Sequence, residues 1–159
     1  MSELIRPMQR SDVPRVHEIE CACFRSPWSK MALMGELRND AAHYHVLEID
    51  GTIVGYAGMW VLFDEAHITN IAVLSEYRNH GCAERIMRSM MQSALLLGAK
   101  MMTLEVREHN ETAKRLYQRL DFAQNGYRPR YYQDSGEGAL ILWNMDIQKT
   151  LEGNGRNEQ

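Results

Sequence analysis

The stretch that decides the fold runs from Ile71 to Leu97 and reads I-A-V-L-S-E-Y-R-N-H-G-C-A-E-R-I-M-R-S-M-M-Q-S-A-L-L-L. Its first four residues are apolar and read as a strand. A polar turn ending at Gly81 follows. Ala83, Ile86, Met87, Met90, Met91, Ala94 and Leu97 then recur at the i, i+3, i+4, i+7 spacing of one buried helix face. At the junction lie Arg78, Asn79, His80, Gly81, Cys82, Ala83 and Glu84. A helix start leaves backbone N–H groups without intrahelical partners, and its dipole favours an anion. Gly81 and Ala83 keep side-chain bulk away, so a pyrophosphate can approach, and Arg78 adds a positive charge. A plain strand–turn–helix junction explains the same residues. Neither G-x-x-x-x-G-K-[ST] nor G-x-G-x-x-G occurs.

Outward from this stretch, the 159 residues suit one domain, and 45% hydrophobic with 25% charged residues is ordinary for a soluble globular chain. A net charge of −3 gives no electrostatic case for nucleic acid or an anionic membrane. Three cysteines (Cys21, Cys23, Cys82) cannot all pair and form no C-x-x-C, which reads as a reduced, cytoplasmic protein. No signal peptide or membrane span is expected.

Upstream, Leu4 to Arg6 reads as a strand stopped by Pro7. Ser11 or Asp12 can cap a helix with Pro14 in its first turn. Ser29 can cap a second helix to about Arg38. His43 to Ile49 and Thr52 to Leu62 are strands joined by Asp50-Gly51, a hairpin signal because a type I′ turn needs two residues at positive φ. Gly55 and Gly58 mark a bulge or a close approach. Downstream come a strand (Met101 to Val106), a helix capped by Asn110 (Glu111 to Leu120), and closing strands over Phe122 to Tyr132 and Ala139 to Ile147. The polar tail from Gln148 to Gln159 reads as disordered. His17/Cys21/Cys23 and His43/His45 have metal-like spacings but lack a full ligand set, so no metal is expected.

Glu105 is the sharpest anomaly, a carboxylate in an apolar strand. Either it sits at a strand end facing water or paired with Arg107, or it is a general base, since a partly desolvated carboxylate can take a proton from an attacking amine. Tyr117 either packs its helix on the sheet or serves as a general acid to a leaving thiolate. Asn110 caps its helix and can also reach a cofactor.

Leu104 to Phe122, L-E-V-R-E-H-N-E-T-A-K-R-L-Y-Q-R-L-D-F, resembles the L-E-V-R-x-x-N-x-x-A-x-x-L-Y-x-x-x-G-F signature of N-terminal acetyltransferases in the GNAT family. Arg78 to Ala83 resembles that family's R/Q-x-x-G-x-G/A loop, and Phe24 to Ser29 its F-x-x-P-W-S segment bordering the substrate. The element order is also that of GNAT proteins. The resemblance implies an α/β (α+β) GNAT fold, a mixed central sheet of about seven strands with helices on both faces, in one domain over residues 1–147. It implies an acetyl-CoA-dependent enzyme that acetylates a protein N-terminus, with a basic ribosomal protein as partner and the N-terminal alanine of small-subunit protein eighteen as target. Acetyl-CoA would lie in a splayed gap between the strands at Ile71 and Met101. Glu105 becomes the base and Tyr117 the acid. Ile71, Ala72 and Val73 would pair with the pantetheine arm, with an oxyanion donor near Val73. Arg78, Asn79, His80, Gly81, Cys82, Ala83 and Glu84 would hold the pyrophosphate, and Asn110 would touch the cofactor. Tyr131 and Tyr132 either line the peptide channel or pack the sheet edge, and Glu65, Glu108 and Glu111 either attract a cationic chain or form a solvated face. Open alternatives are a lysine or small-amine acetyltransferase and a non-catalytic acetyl-CoA-binding regulator. The family's basic residue before glycine is His80 here, its Gly before Phe is Asp121, and its G-E-D-A is Gly136-Glu137-Gly138-Ala139. Asp tolerates the αL conformation that the missing glycine would adopt.

Overall fold

The computed structural model describes residues 2–157. In chain order the elements are β1 (Glu3–Pro7), α1 (Val13–Cys23), α2 (Lys30–Glu36), β2 (Ala42–Ile49), β3 (Thr52–Leu62), β4 (Glu65–Val73), α3 (Cys82–Leu96), β5 (Met101–Arg107), α4 (Glu111–Arg119), β6 (Ala123–Arg128), β7 (Ala139–Asn144) and α5 (Ile147–Asn157). Hydrogen-bonded strands follow the order β1-β2-β3-β4-β5-β7-β6. The sheet is mixed: β4 and β5 run parallel, the other registered pairs antiparallel. The chain forms two compact units, Met1–Val61 with Thr69–Met90 and Leu62–Ile68 with Met91–Gln159. Among the described residues no helix is long and apolar enough to cross a membrane.

In the first unit, Asp50 (φ 51°) and Gly51 (φ 82°) both take the left-handed conformation that the D-G signal requires, and they join β2 to β3. Leu47 faces Gly55 while Glu48 faces Ile53, so Val54 is an extra, bulged residue beside Gly55. Gly58 is a close approach: the Tyr44 ring would lie 2.3 Å from any Cβ placed there. Val16, Ile19, Leu33, Val46 and Tyr56 are fully buried and form the core with Met8, Val13, Tyr44, Ile53 and Ala72. Ser29 caps α2 by accepting from the Ala32 N–H at 3.0 Å. The cap expected for α1 differs. Asp12 stands at its N-cap in helical conformation with no capping bond. Its carboxylate instead forks onto Arg6 (2.7 and 2.9 Å) and takes the Gln9 N–H at 2.7 Å, closing a 3-10 turn over Arg10–Asp12.

The second unit is built on β5, whose burial alternates. Met102, Leu104 and Val106 face the core, and Thr103, Glu105 and Arg107 lie half-buried on the other face. The parallel pairing of β4 with β5 is three residue pairs long and ends at His67 opposite Thr103. Helix α4 closes in a Schellman motif, with the Phe122 N–H on the Tyr117 carbonyl (3.0 Å) and the Asp121 N–H on that of Gln118 (3.1 Å). Asp121 takes φ 66° in the glycine's place. The motif's hydrophobic contact is the edge-on pair of Tyr117 and Phe122, centroids 5.7 Å apart.

Two boundaries differ from expectation. Strand β6 ends at Arg128, because Pro129 has no N–H to give the ladder and Arg130 turns to φ 51°. The segment expected to be disordered from Gln148 carries α5. Asp146 caps it by accepting the Lys149 N–H at 3.1 Å, and buried Ile147 and Thr150 anchor it. Composition spoke for disorder, but one cap and two buried side chains outweigh it. The tail's final residues, 158 and 159, lie outside the described residues.

Candidate active site

In the second unit, the β5 register carries Glu105 past the end of the β4–β5 pairing, where its Oε2 meets His67 Nε2 at 2.7 Å. The Glu105 side chain is 19% exposed and that of His67 36%. The hydrogen bond from His67 holds the Glu105 carboxyl below the ordinary carboxylate range, against the opposing effect of burial, with the Arg128 charge contributing. Glu105 is therefore an ionised, half-buried acceptor at neutral pH. It does not pair with Arg107, whose guanidinium forks onto Asp134 at 3.0 and 2.8 Å.

Tyr117 is buried on α4, and burial pushes its phenol well above the usual tyrosine value, so it keeps its proton. Burial raises the Tyr132 phenol, with the Glu105 charge a smaller contribution. Tyr132 is half-buried and Tyr131 exposed, their rings edge-on at 5.1 Å. Asn110 caps α4 through its side-chain oxygen, which accepts the Ala113 N–H at 3.1 Å. Glu108 accepts the Gly138 N–H at 3.3 Å, Glu111 pairs with Lys114 at 2.7 Å, and Glu65 is exposed.

In the first unit, Ala72 and Val73 are buried and Ile71 is half-buried at the end of β4. The Val73 carbonyl accepts from Arg78 Nε at 3.1 Å and faces Cys23 Sγ at 3.6 Å. Arg78 thus braces the strand end with its side chain. The Leu74 N–H is given to the Val54 carbonyl (2.9 Å), so it is not the oxyanion donor expected near Val73. Asn79 (φ 65°) and Gly81 (φ 75°) turn the chain into α3. The first helical bond runs from the Arg85 N–H to the Gly81 carbonyl at 3.1 Å. Cys82 and Ala83 open the helix, where backbone N–H groups precede the first i→i−4 bond. Arg85 locks this turn through His80 O (2.8 Å) and Glu3 (2.7 Å), and a Cβ on Gly81 would meet its Nη1 at 2.8 Å.

Residues 13–122 match the Acetyltransferase (GNAT) family. The chain belongs to the GNAT acetyltransferase family. It is 42% identical over 140 residues, 87% of this chain and 93% of the relative, to a Bacillus subtilis protein provisionally named [ribosomal protein bS18]-alanine N-acetyltransferase. It is 33% identical over 144 residues (87% of this chain, 89% of the relative) to the N-alpha-acetyltransferase RimI of Mycobacterium tuberculosis. The crystal structure of the Escherichia coli ribosomal-protein-S18-alanine N-acetyltransferase superposes with a TM-score of 0.84 at 27% identity, covering 92% of this chain and 94% of that one.

As a GNAT enzyme the chain uses acetyl-CoA. The GNAT signature residues divide between the units. Glu105, Tyr117 and Asn110 lie in the second, and Ile71 to Val73 with Arg78 to Glu84 in the first. Cys21 lies 3.5 Å from His17, Cys23 turns to Val73, and His45 bonds Ser89 at 2.9 Å. Among the described residues no three His, Cys, Asp or Glu side chains are placed to hold an ion. Sequence reading missed His67, Arg85 and the Arg107–Asp134 fork. Only the parallel register links His67 to Glu105, and no local pattern announces it. At Gly138 the Tyr127 hydroxyl would lie 2.3 Å from a Cβ, so an aspartate there would have to displace the exposed Tyr127 ring.

Proposed function

We propose that this GNAT enzyme acetylates the α-amine of a protein N-terminus, that of ribosomal protein bS18 beginning with alanine. The relatives' names supply the substrate, and the Glu105–His67 pair carries the chemistry. Acetyl-CoA supplies the thioester. The N–H groups of Cys82, Ala83 and Glu84 receive its pyrophosphate, with Arg78, Asn79, His80 and Gly81 shaping the turn. The backbone of Ile71 to Val73 lies along the pantetheine arm, and the Asn110 amide donates to the cofactor.

Glu105 accepts the amine's proton as the C–N bond forms. Nitrogen becomes strongly acidic at that moment, so a carboxylate held low by His67 suffices. The burial-raised phenol of Tyr117 is a weaker acid than a free thiol at about 8.5. It therefore stabilises the departing sulfur as a hydrogen-bond donor, and the released thiolate takes its proton from solvent. Tyr131 and Tyr132 line the peptide path. The test is mass spectrometry of basic peptides beginning with Ala, Ser, Met or Gly, plus one with a blocked N-terminus and an internal Lys. One acetyl on the free Ala peptide and none on the blocked peptide is expected. Acetylation of the blocked peptide would move the target to lysine and overturn the reading.

A further inference from the structure

Arg107 stands two residues beyond Glu105 on the same face of β5. It forks onto Asp134 (3.0 and 2.8 Å), donates to Ser135 Oγ (3.1 Å) and lies 3.7 Å from Glu137. Its Cζ sits 4.0 Å from the centroid of the Tyr132 ring. All four partners belong to one short segment between β6 and β7, and that segment closes on itself. The Tyr132 N–H reaches the Glu137 carbonyl at 3.0 Å, and the Gly136 N–H the Tyr132 carbonyl at 2.8 Å. The His109 N–H ties Glu137 back at 2.8 Å. A lone exposed ion pair does little, but a bidentate fork combined with cation–π stacking fixes geometry as well as energy. Although its backbone is open to solvent, the Asp134 side chain is 15% exposed, which strengthens the fork.

We propose that Arg107 is a positioning residue for acetyl transfer, latching the 132–137 segment so that the Tyr132 ring is held on the face of β5 that carries Glu105. This rests on the assignment of Glu105 as proton acceptor. The latch fixes the wall against which the amine is presented, and it touches none of the residues proposed for acetyl-CoA. A loosened latch therefore leaves donor binding intact and weakens productive capture of the peptide. Lysine in place of arginine keeps the charge and loses the fork, so charge alone does not rescue it.

The test compares Arg107→Lys, Asp134→Asn, the double variant and Glu105→Gln on the Ala-starting peptide. Each latch variant is expected to lose roughly 10-fold or more in peptide kcat/KM, mostly through KM, in line with a misplaced positioning group. Acetyl-CoA affinity is expected to stay within about twofold, and the double variant to cost no more than the worse single, since both break one device. Unchanged peptide kcat/KM in the single variants would overturn the proposal. So would equal losses of donor affinity and thermal stability, or fully additive losses. Glu105→Gln separates the two claims. If it abolishes turnover while the latch variants do nothing, only the latch falls. If it retains turnover, the proton-acceptor assignment falls, and the peptide KM of the latch variants still decides the latch.

Discussion

Replacing Glu105 by Gln keeps the side chain's size and a polar contact with His67 but removes the charge. Positioned acid–base groups contribute roughly 10²- to 10⁴-fold, or about 3–5 kcal/mol of barrier, and kcat is expected to fall by that order. Acetyl-CoA affinity should not change, because Glu105 is not among the residues proposed to hold the cofactor. The pH dependence sharpens the test. An α-amine with a pKa of about 7.7–8.0 is already about one-third neutral at pH 7.5. If Glu105 served only to deprotonate the free ammonium, raising the pH to 9 would recover at most about threefold. Removal of the proton during attack predicts a defect that persists at pH 9. Stability gives a second readout. His67 holds the folded carboxyl below its unfolded value, so this contribution is full above the unfolded value and is lost as pH falls through the folded one. The bond is to a charged group but His67 is 36% exposed, so about 1 kcal/mol is reasonable. The wild type should exceed the variant by that amount in urea unfolding at pH 7, with the gap closing in acid. Unchanged kcat, or a rate defect that vanishes at pH 9, would refute the reasoning.

Tyr117→Phe keeps the ring against Phe122, so circular dichroism and urea unfolding should stay within about 1 kcal/mol of wild type. With a hydrogen bond as its contribution, kcat should drop roughly 10- to 100-fold; a variant that unfolds instead would assign Tyr117 to packing alone. Asn144, 1% exposed, donates to the Leu120 carbonyl and Thr150 Oγ1 (2.8 Å each) and accepts the Asp146 N–H at 2.9 Å. Asn144→Ala strands these partners, which should cost about 3–4 kcal/mol and lower Tm by roughly 10 °C. A loss under about 1 kcal/mol would mean the site relaxes around the gap.

Features legible in the sequence were those with a local physical cause. Asp50-Gly51 made a turn because few other pairs tolerate two positive φ values. Ser29 and Asn110 were readable as caps because each serves an N–H three residues ahead. Asp121 was readable as a stand-in for glycine for the same local reason. Glu105 stood out because a carboxylate contradicts the apolar pattern around it. What failed to show was non-local. The His67–Glu105 bond needs a parallel register between strands 38 residues apart in sequence. Arg107 had a nearby carboxylate in Glu105 yet reaches Asp134, because strand alternation places both on one face while the β6–β7 segment folds over it. Asp12 had the right residue type for a cap and was claimed by Arg6. Helix α5 was hidden by average composition, although Asp146 lay in plain view at its start.

The hydroxyl of Thr150 donates to Asp121 at 2.9 Å and accepts from Asn144, so a residue of α5 holds the left-handed turn that seals the helix carrying Tyr117. This bears on how deletions are interpreted. A chain cut between residues 144 and 150 retains every residue assigned to acetyl-CoA, proton transfer or peptide. Even so, it loses the support of that turn and frees the end of α4. A shortened enzyme that no longer transfers acetyl would thus report a broken seal, not a docking site in the removed segment. Full activity of such a form would show that Asp121 holds its conformation unaided.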